Sequence, residues 1–248
     1  MANRQSAAVR SNNRAPHTRE RISHAAQNYL LSLYILAEEG VRTTPGNLAE
    51  HIRNMPPTEH LGASLPSVLG MIRRMTKEGL VEISPQKEVH LTRVGRTHAE
   101  SMVRRHRLAE RMVVDLLGLE LYKAHVEAHQ LEHAISPDVE DMIRKQLGNP
   151  TTCPFGHPIP GSGYVPPQGR CFTLDQVEPG RRYVVERIPE EDQELLRFLI
   201  DHHIVPDQEL EILEAGRYRG VISFRTALGD TALGYEAATR IWVRESAS

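Results

Sequence analysis

Apolar residues recur at helical spacing in the first third of the chain, and the pattern predicts three consecutive helices. Residues 25–40, AAQNYLLSLYILAEEG, place apolar and aromatic side chains three and four positions apart and stop at Gly40. In TTPGNLAEHI, Thr44 can cap a second helix and Pro45 suits its first turn. The third predicted helix, SLPSVLGMIRRMTKEGLV, opens at Ser64, and Gly79 lies beyond its end.

Two short alternating stretches follow the third helix and predict a β-hairpin. They are LVEIS at 80–84 and EVHLT at 88–92, on either side of a turn that contains Pro85. Three helices and a hairpin predict a winged helix-turn-helix at residues 24–98, whose third helix would enter the major groove of DNA. A winged helix can instead mediate protein contacts.

The pattern then predicts a helical domain, a linker and a small β domain. One long helix covers 93–117, the stretch HVEAHQLEH lies on a helix of its own, and SPDVEDMIRKQLG forms another, so residues 99–150 are helical. Residues 151–172 are rich in proline and glycine and predict a linker. Several short strand patterns and one helix at 173–248 predict a partly open β-barrel.

Composition and charge are those of an ordinary soluble protein with a polarised charge distribution. The 248 residues include no run of 18 apolar positions and no signal-peptide core, so a cytoplasmic location without membrane contact is expected. The net charge is −2, but residues 1–23 are basic and predicted to be disordered, whereas 173–248 hold nine arginines against fifteen acids. A polyanionic partner would therefore meet the N-terminal half.

The stretch HVEAHQLEH at 125–133 holds the candidate chemistry. On a continuous helix, His125, His129, Glu132 and His133 would share one face, and imidazole with carboxylate suits zinc, iron or manganese. HQLEH also matches the H-x-x-E-H pattern of inverted zinc proteases, in which the glutamate activates water. A third interpretation is that HVEAHQLEH is a hydrophilic helix face that forms no site.

The order of the motifs resembles the DtxR/MntR family of metal-dependent transcriptional repressors. After the winged helix come MVRRHRLAERMVVDLLGL, HVEAHQLEHAIS and PFGHPIP. The resemblance implies a mainly α-helical N-terminal half, with a winged helix-turn-helix and a helical dimerisation domain, and a C-terminal SH3-like (FeoA-like) small β-barrel. It also implies a homodimer that binds palindromic operator DNA when loaded with Mn²⁺ or Fe²⁺, and no enzymatic activity.

The family pattern implies two metal sites. The primary set would be Asn28, His129, Glu132 and His133, and the ancillary set would be His106, Glu110 and His125, with an acidic ligand near Glu191, Asp192 or Glu194. Asn28 is a weaker ligand than a carboxylate, and His24, one turn earlier, is an alternative. His129 replaces a Cys or Glu, and an imidazole-rich set would also bind Zn²⁺ and Co²⁺ in vitro.

The expected DNA contacts lie in the helix-turn-helix and the wing. Arg73, Arg74, Lys77 and Lys87 would contact phosphates, and the remaining members of the set are Thr44, Asn47, Ser64, Pro66 and Ser67. NMPPTEHLGA, residues 54–63, lengthens the turn, and Gly70 replaces a glutamine of the family pattern. Two alternatives stay open: a winged-helix regulator without metal control, and a zinc hydrolase.

Overall fold

The computed structural model describes residues 22–55 and 61–246. The predicted basic tail, apart from its last two residues, and the middle of the lengthened turn lie outside the described residues. Within them, no helix is both long and apolar enough to cross a membrane.

The N-terminal part is a winged helix-turn-helix, as predicted. Its elements are α1 (His24–Glu38), α2 (Pro45–Asn54), α3 (Leu65–Lys77), β1 (Val81–Ile83) and β2 (Val89–Leu91). The hydroxyls of Thr44 and Ser64 accept hydrogen bonds from the amides of Asn47 and Ser67, which fixes where α2 and α3 begin. One core of leucine, isoleucine, valine and methionine side chains joins α1, α2, α3 and the hairpin.

The middle part consists of α4 (Arg93–Arg111), α5 (Leu121–Leu131) and α6 (Pro137–Gln146), and α4 continues into a wider π-type turn at Met112–Leu116. Here one detail differs from the sequence prediction. The helix that carries HVEAHQLEH ends at Leu131, so Glu132 is its C-cap and His133 lies in the following turn. The helix cannot continue past Ile135, because Ser136, which caps α6, is extended before Pro137.

The proline-rich segment is a packed connection in its first half. Cys153, Phe155 and Ile159 are buried, and the amide of Ile188 donates a hydrogen bond to the carbonyl of Phe155. Gly156 has a φ of 91°, and a Cβ there would lie 1.9 Å from the carbonyl oxygen of Glu186. This segment therefore holds the β domain directly against the helices.

The C-terminal part is an antiparallel six-stranded sheet with strand order β3-β8-β4-β5-β6-β7. The strands and helices are β3 (Cys171–Thr173), β4 (Arg182–Arg187), α7 (Gln193–Asp201), β5 (Glu209–Gly216), β6 (Val221–Thr226), β7 (Gly229–Gly234), α8 (Tyr235–Ala238) and β8 (Trp242–Glu245). The fold class is confirmed. The apolar patterns predicted β4, β5, β6 and β8, whereas β3 has three residues and β7 is a polar edge strand with a glycine at each end.

Candidate metal centre

A cluster of imidazole and carboxylate groups is buried where α4, α5 and the β domain meet. α4 contributes His106 and Glu110 one turn apart, α5 contributes His125 and His129, and Glu132 follows from the cap of α5. The loop before α7 adds Glu190. Each of the six side chains belongs to a residue no more than 2% exposed. Ionisable groups at this depth need partners or a metal ion.

The first ligand set contains His106, Glu110, His125 and Glu190, one ligand atom of each lying within 4.8 Å of the others. Oε1 of Glu110 lies 2.9 Å from Nε2 of His106 and 3.2 Å from Nδ1 of His125. Oε1 of Glu190 lies 3.9 Å from the same His125 nitrogen. Two imidazoles and two carboxylates are donors that zinc, iron and manganese accept.

The second set is centred on His129 and Glu132. His129 lies next to the first set, because one nitrogen of its ring lies within 4.8 Å of a ring nitrogen of His106 and of His125. Oε1 of Glu132 lies 3.6 Å from Nδ1 of His129 and 3.6 Å from Nε2 of His133. Ligand atoms about 2.1 Å from a tetrahedral ion lie about 3.4 Å apart, so this spacing is close to that of neighbouring ligands.

Two buried carboxylate oxygens test whether the residues fit a cation. Among the residues that the structure describes, Oε2 of Glu110 and Oε1 of Glu132 have no hydrogen-bond partner. A buried, ionised oxygen without a hydrogen-bond partner is costly, and a divalent cation beside each oxygen would remove that cost. The donor set and its geometry therefore fit a divalent metal.

The cluster is electrostatically coupled through His106. Burial alone would lower the pKa of His106, but Glu110 and Glu132 raise it well above its ordinary value. Burial would raise the pKa of Glu132, but His129 and His106 hold it at about 2. Burial lowers the pKa of His125 to about 4. Burial, together with the negative charge of Glu110, raises the pKa of Glu190 to about 8. At neutral pH, His106 is thus an imidazolium between two carboxylates.

The first-helix candidates lie beside the turn that follows α5. Asn28 is buried on α1. The rings of His24 and His133 are stacked with centroids 4.5 Å apart, and Nδ1 of His133 lies 2.8 Å from Oε1 of Gln27. The structure therefore brings α1 of the winged helix into contact with His133 of the predicted primary set.

The three acids predicted as ancillary ligands are placed differently from Glu190. Asp192 caps α7 by accepting from the amide of Leu195 and also pairs with Arg240 at 3.0 Å, and Glu194 is exposed. Glu191 lines a cavity of about 350 Å³ together with His51 and Arg240. Burial would raise the pKa of Glu191, but the charges of His125 and His51 lower it, so Glu191 also lies close to the cluster. The sequence indicated this segment, and Glu190 joins the three predicted acids as a candidate ligand.

Behind the cluster lies a buried ionic network that the sequence reasoning missed. Arg107 donates hydrogen bonds to both carboxylate oxygens of Glu38 and to the carbonyl of Pro158. Nε2 of His157 donates to the carbonyl of Ile188 at 3.1 Å and lies 3.9 Å from Glu190. Burial opposes ionisation of Glu38, but His157 and Arg107 lower its pKa to about 2. The network links α1 to the candidate ligand Glu190.

The predicted DNA contacts fall into two groups. Arg73, Arg74 and Lys77 are exposed on α3, and Lys87 is exposed in the wing turn with a φ of 62°. The others lie where α2 and α3 begin. Ser64 and Thr44 are the caps described above, and Pro66 and Ser67 are exposed in the first turn of α3. The side-chain amide of Asn47 donates a hydrogen bond to the carbonyl of Arg42.

Comparisons with known proteins agree with this architecture. The family profile "Iron dependent repressor, metal binding and dimerisation domain" matches residues 92–161, and the FeoA domain profile matches residues 172–245. The diphtheria toxin repressor of Corynebacterium efficiens is 34% identical over 200 residues, which cover 76% of this chain and 83% of that protein. The chain belongs to the DtxR/MntR family.

Other members of the family are also similar. The iron-dependent repressor IdeR of Mycobacterium leprae is 41% identical over 133 residues, so the match spans about half of each protein, 54% in both cases. A manganese-dependent transcriptional repressor in complex with manganese is 34% identical, with a TM-score of 0.77 over 89% of this chain and 100% of that chain. The manganese regulator SloR is 26% identical, with a TM-score of 0.73 over 91% and 100%. Two of these relatives are named as repressors and the third as a regulator, which supports the expectation that the chain is not an enzyme.

Proposed function

We propose that this chain is a metal-dependent transcriptional repressor that binds operator DNA in its metal-loaded form and controls manganese or iron homeostasis. The observation that carries the proposal is the buried histidine and glutamate cluster at the contact between the winged helix, the helical domain and the β domain. The charge of an ion bound in this cluster would therefore influence how the winged helix, the helical domain and the β domain are positioned relative to one another.

The winged helix would respond to the cluster through α1. Leu31 and Ile35 of α1 pack on Met102 and Val103 of α4, and the other face of α1 shares a core with α3. His129, Glu132 and His133 would hold a divalent ion beside α1, and the ion would supply the positive charge that fixes the arrangement of these side chains. Asn28, or His24 in its place, would complete the set from α1, and the orientation of α3 would then be fixed.

Operator recognition requires two recognition helices at a set spacing, and we propose a homodimer. Half-sites on a palindrome lie about 34 to 36 Å apart per helical turn. Val139 and Met142 are exposed three residues apart on α6, and Leu116 and Leu117 are exposed after α4, which supports a dimer contact on the helical domain. To change the ratio of the DNA-competent form to the other form from 1:99 to 99:1, the metal would have to bind the DNA-competent form more tightly by about 5.5 kcal/mol.

We propose Mn²⁺ or Fe²⁺ as the physiological ion, because the relatives are named as manganese-dependent and iron-dependent. Zn²⁺ and Co²⁺ are expected to bind in vitro, since the ligands are rich in imidazole. As a regulator of operator DNA, the protein would act in the cytoplasm.

Titration of the metal-free chain with Mn²⁺, Fe²⁺ and Zn²⁺, followed by a DNA-binding assay with selected duplexes, tests the proposal. Glu132→Ala and His133→Ala should abolish metal-stimulated DNA binding while circular dichroism shows an intact fold. Glu127→Ala, at a partly exposed position on α5, serves as the matched control. Variants that bind DNA as tightly as the metal-loaded wild type would refute the proposal. Equal DNA affinity of the wild type in metal and in chelator would favour a regulator without metal control.

A further inference from the structure

The face of α3 that points away from the core exposes two leucines. Val68, Ile72 and Met75 are buried, whereas Leu65 and Leu69 are 49% and 37% exposed. The two leucines are four residues apart and are therefore neighbours on the helix surface. Among the residues that the structure describes, neither leucine belongs to a hydrophobic core.

Gly70 lies next to Leu69 in the middle of the exposed face. A glycine in a helix interior costs about 1 kcal/mol relative to alanine. A Cβ at Gly70 would meet nothing within 4 Å, and φ is not in the left-handed region, so the fold does not require a glycine here. A glycine at such a position allows the helix backbone to approach another molecule closely.

The same helix has no amide, carboxylate or imidazole side chain that could hydrogen-bond a base. The sequence of α3, LPSVLGMIRRMTK, includes no Asn, Gln, Asp, Glu or His. The hydroxyls of Ser64 and Ser67 lie 2.8 Å apart and bond to each other, and Arg74 pairs with Glu78 at 2.8 Å. Recognition of adenine by an amide side chain is therefore not available to α3.

The charge of the helix indicates what covers this face. Arg73, Arg74 and Lys77 follow the apolar patch along α3, and α3 has no acidic residue. An apolar patch beside cations complements a duplex, in which phosphates flank a groove that displays the methyl groups of thymine. An apolar protein partner would not require the cations.

We propose that Leu69, with Leu65 beside it, recognises thymine by contact with C5-methyl groups in the major groove, and that Gly70 provides the close approach. The inference rests on the proposed function and specifies its DNA target: thymines at defined positions of each half-site. Apolar contact with the thymine methyl is an established form of base readout.

The test begins with selection of duplexes from a randomised library by the metal-loaded full chain. The enriched duplex is then synthesised with thymine or with deoxyuridine, which lacks only the methyl group. Wild type should bind the deoxyuridine duplex more weakly by about fourfold for each contacted methyl, since one buried CH₂-sized group contributes about that factor. Leu69→Ala should bind the thymine duplex more weakly and prefer it over the deoxyuridine duplex by about fourfold less than the wild type does, because the contact of Leu65 remains.

Leu228→Ala, at a position 68% exposed in the β domain, is the control and should keep the wild-type preference. Gly70→Ala should weaken binding to both duplexes alike. Equal affinity of the wild type for both duplexes, or an unchanged thymine preference in Leu69→Ala, would overturn the inference and leave the repressor function standing. Failure to enrich any duplex would overturn the proposed function itself, and the inference with it.

Discussion

Nδ1 of His106 lies 2.6 Å from Oε2 of Glu132, and both side chains are buried. The other ring nitrogen of His106 lies 2.9 Å from Oε1 of Glu110. One imidazole therefore joins the two candidate ligand sets. A ligating histidine is oriented by the group that its second nitrogen contacts, so an ion in the first set depends on Glu132.

Glu132→Gln is expected to weaken metal binding in both sets. The glutamine removes a ligand from the second set and leaves His106 without its anionic partner in the first. Calorimetric titration should show a 10- to 100-fold loss of affinity in the first set, the range typical of such supporting contacts. Glu127→Gln on the same helix is the control. Loss of a single binding event, with the other unchanged, would show that the sets are independent.

The loop before α7 allows a test of which acid serves as a ligand. Glu190→Gln is expected to lower metal affinity, because Glu190 is buried within the group formed by His106, Glu110 and His125. Glu194→Gln, four residues away and exposed, should bind metal as the wild type does. The opposite ranking in a titration would move the acidic ligand to Glu194.

Metal affinity is expected to rise with pH between 6 and 8. Ligands must be deprotonated, yet the pKa of His106 is raised well above its usual value and that of Glu190 is about 8. Both groups therefore hold protons at pH 7 and lose them on ligation, whereas His125, with a pKa of about 4, is already neutral.

Titration in buffers of different ionisation enthalpy should show protons released from His106 and Glu190 as each ion binds at pH 7, and the share from Glu190 should disappear as the pH rises past 8. An affinity that does not change from pH 6 to pH 8 would contradict this assignment of protons.

Arg107→Met is expected to destabilise the fold by about 3 to 5 kcal/mol, because it removes the buried guanidinium that pairs with the largely buried Glu38 and leaves only His157 beside that carboxylate. The pKa of Glu38 is lowered to about 2, so this pair stabilises the folded state above the ordinary pKa of 4.5 and loses its effect as the pH falls towards 2. Arg42→Met removes an exposed pair with Glu88 and should cost less than about 1 kcal/mol. Chemical denaturation at pH 7 measures both, and similar costs would contradict the structural role of Arg107.

Gly156→Ala is expected to cost more than about 3 kcal/mol, because its Cβ would lie 1.9 Å from a backbone oxygen at a φ of 91°. Gly163→Ala shares the left-handed backbone, with a φ of 78°, but its Cβ meets nothing within 4 Å, so about 1 kcal/mol is expected. The difference in the free energy of unfolding isolates the contact with the β domain. Equal costs would show that the connection is not tightly packed there.

Local signals predicted much of this molecule. The caps at Thr44 and Ser64 and the alternation in the wing gave the winged helix, because helix starts and short hairpins depend on neighbouring residues. The end of α5 was missed because it depends on the start of the next helix. β7 was missed because an exposed edge strand needs no apolar alternation.

Some of the candidate ligands could likewise be predicted from local spacing, and others could not. His106 and Glu110, like His125 and His129, are one turn apart on a helix, and their spacing is visible in the sequence. Glu190 approaches them from another domain, 80 positions after Glu110, and the residues between carry no pattern that selects it from its neighbours. The contacts of Arg107 and His157 likewise could not be predicted, because they form only when the proline-rich segment packs against α4.

The stack between His24 and His133 bears on how large the response to metal can be. α1 and the turn after α5 already touch, through this ring contact and the bond to Gln27. An ion that binds there meets two elements that are already preorganised, so little of its binding free energy is consumed in ordering them. The expected conformational change is a small adjustment of angle, and the metal-free protein should sample the DNA-competent arrangement as a minor population.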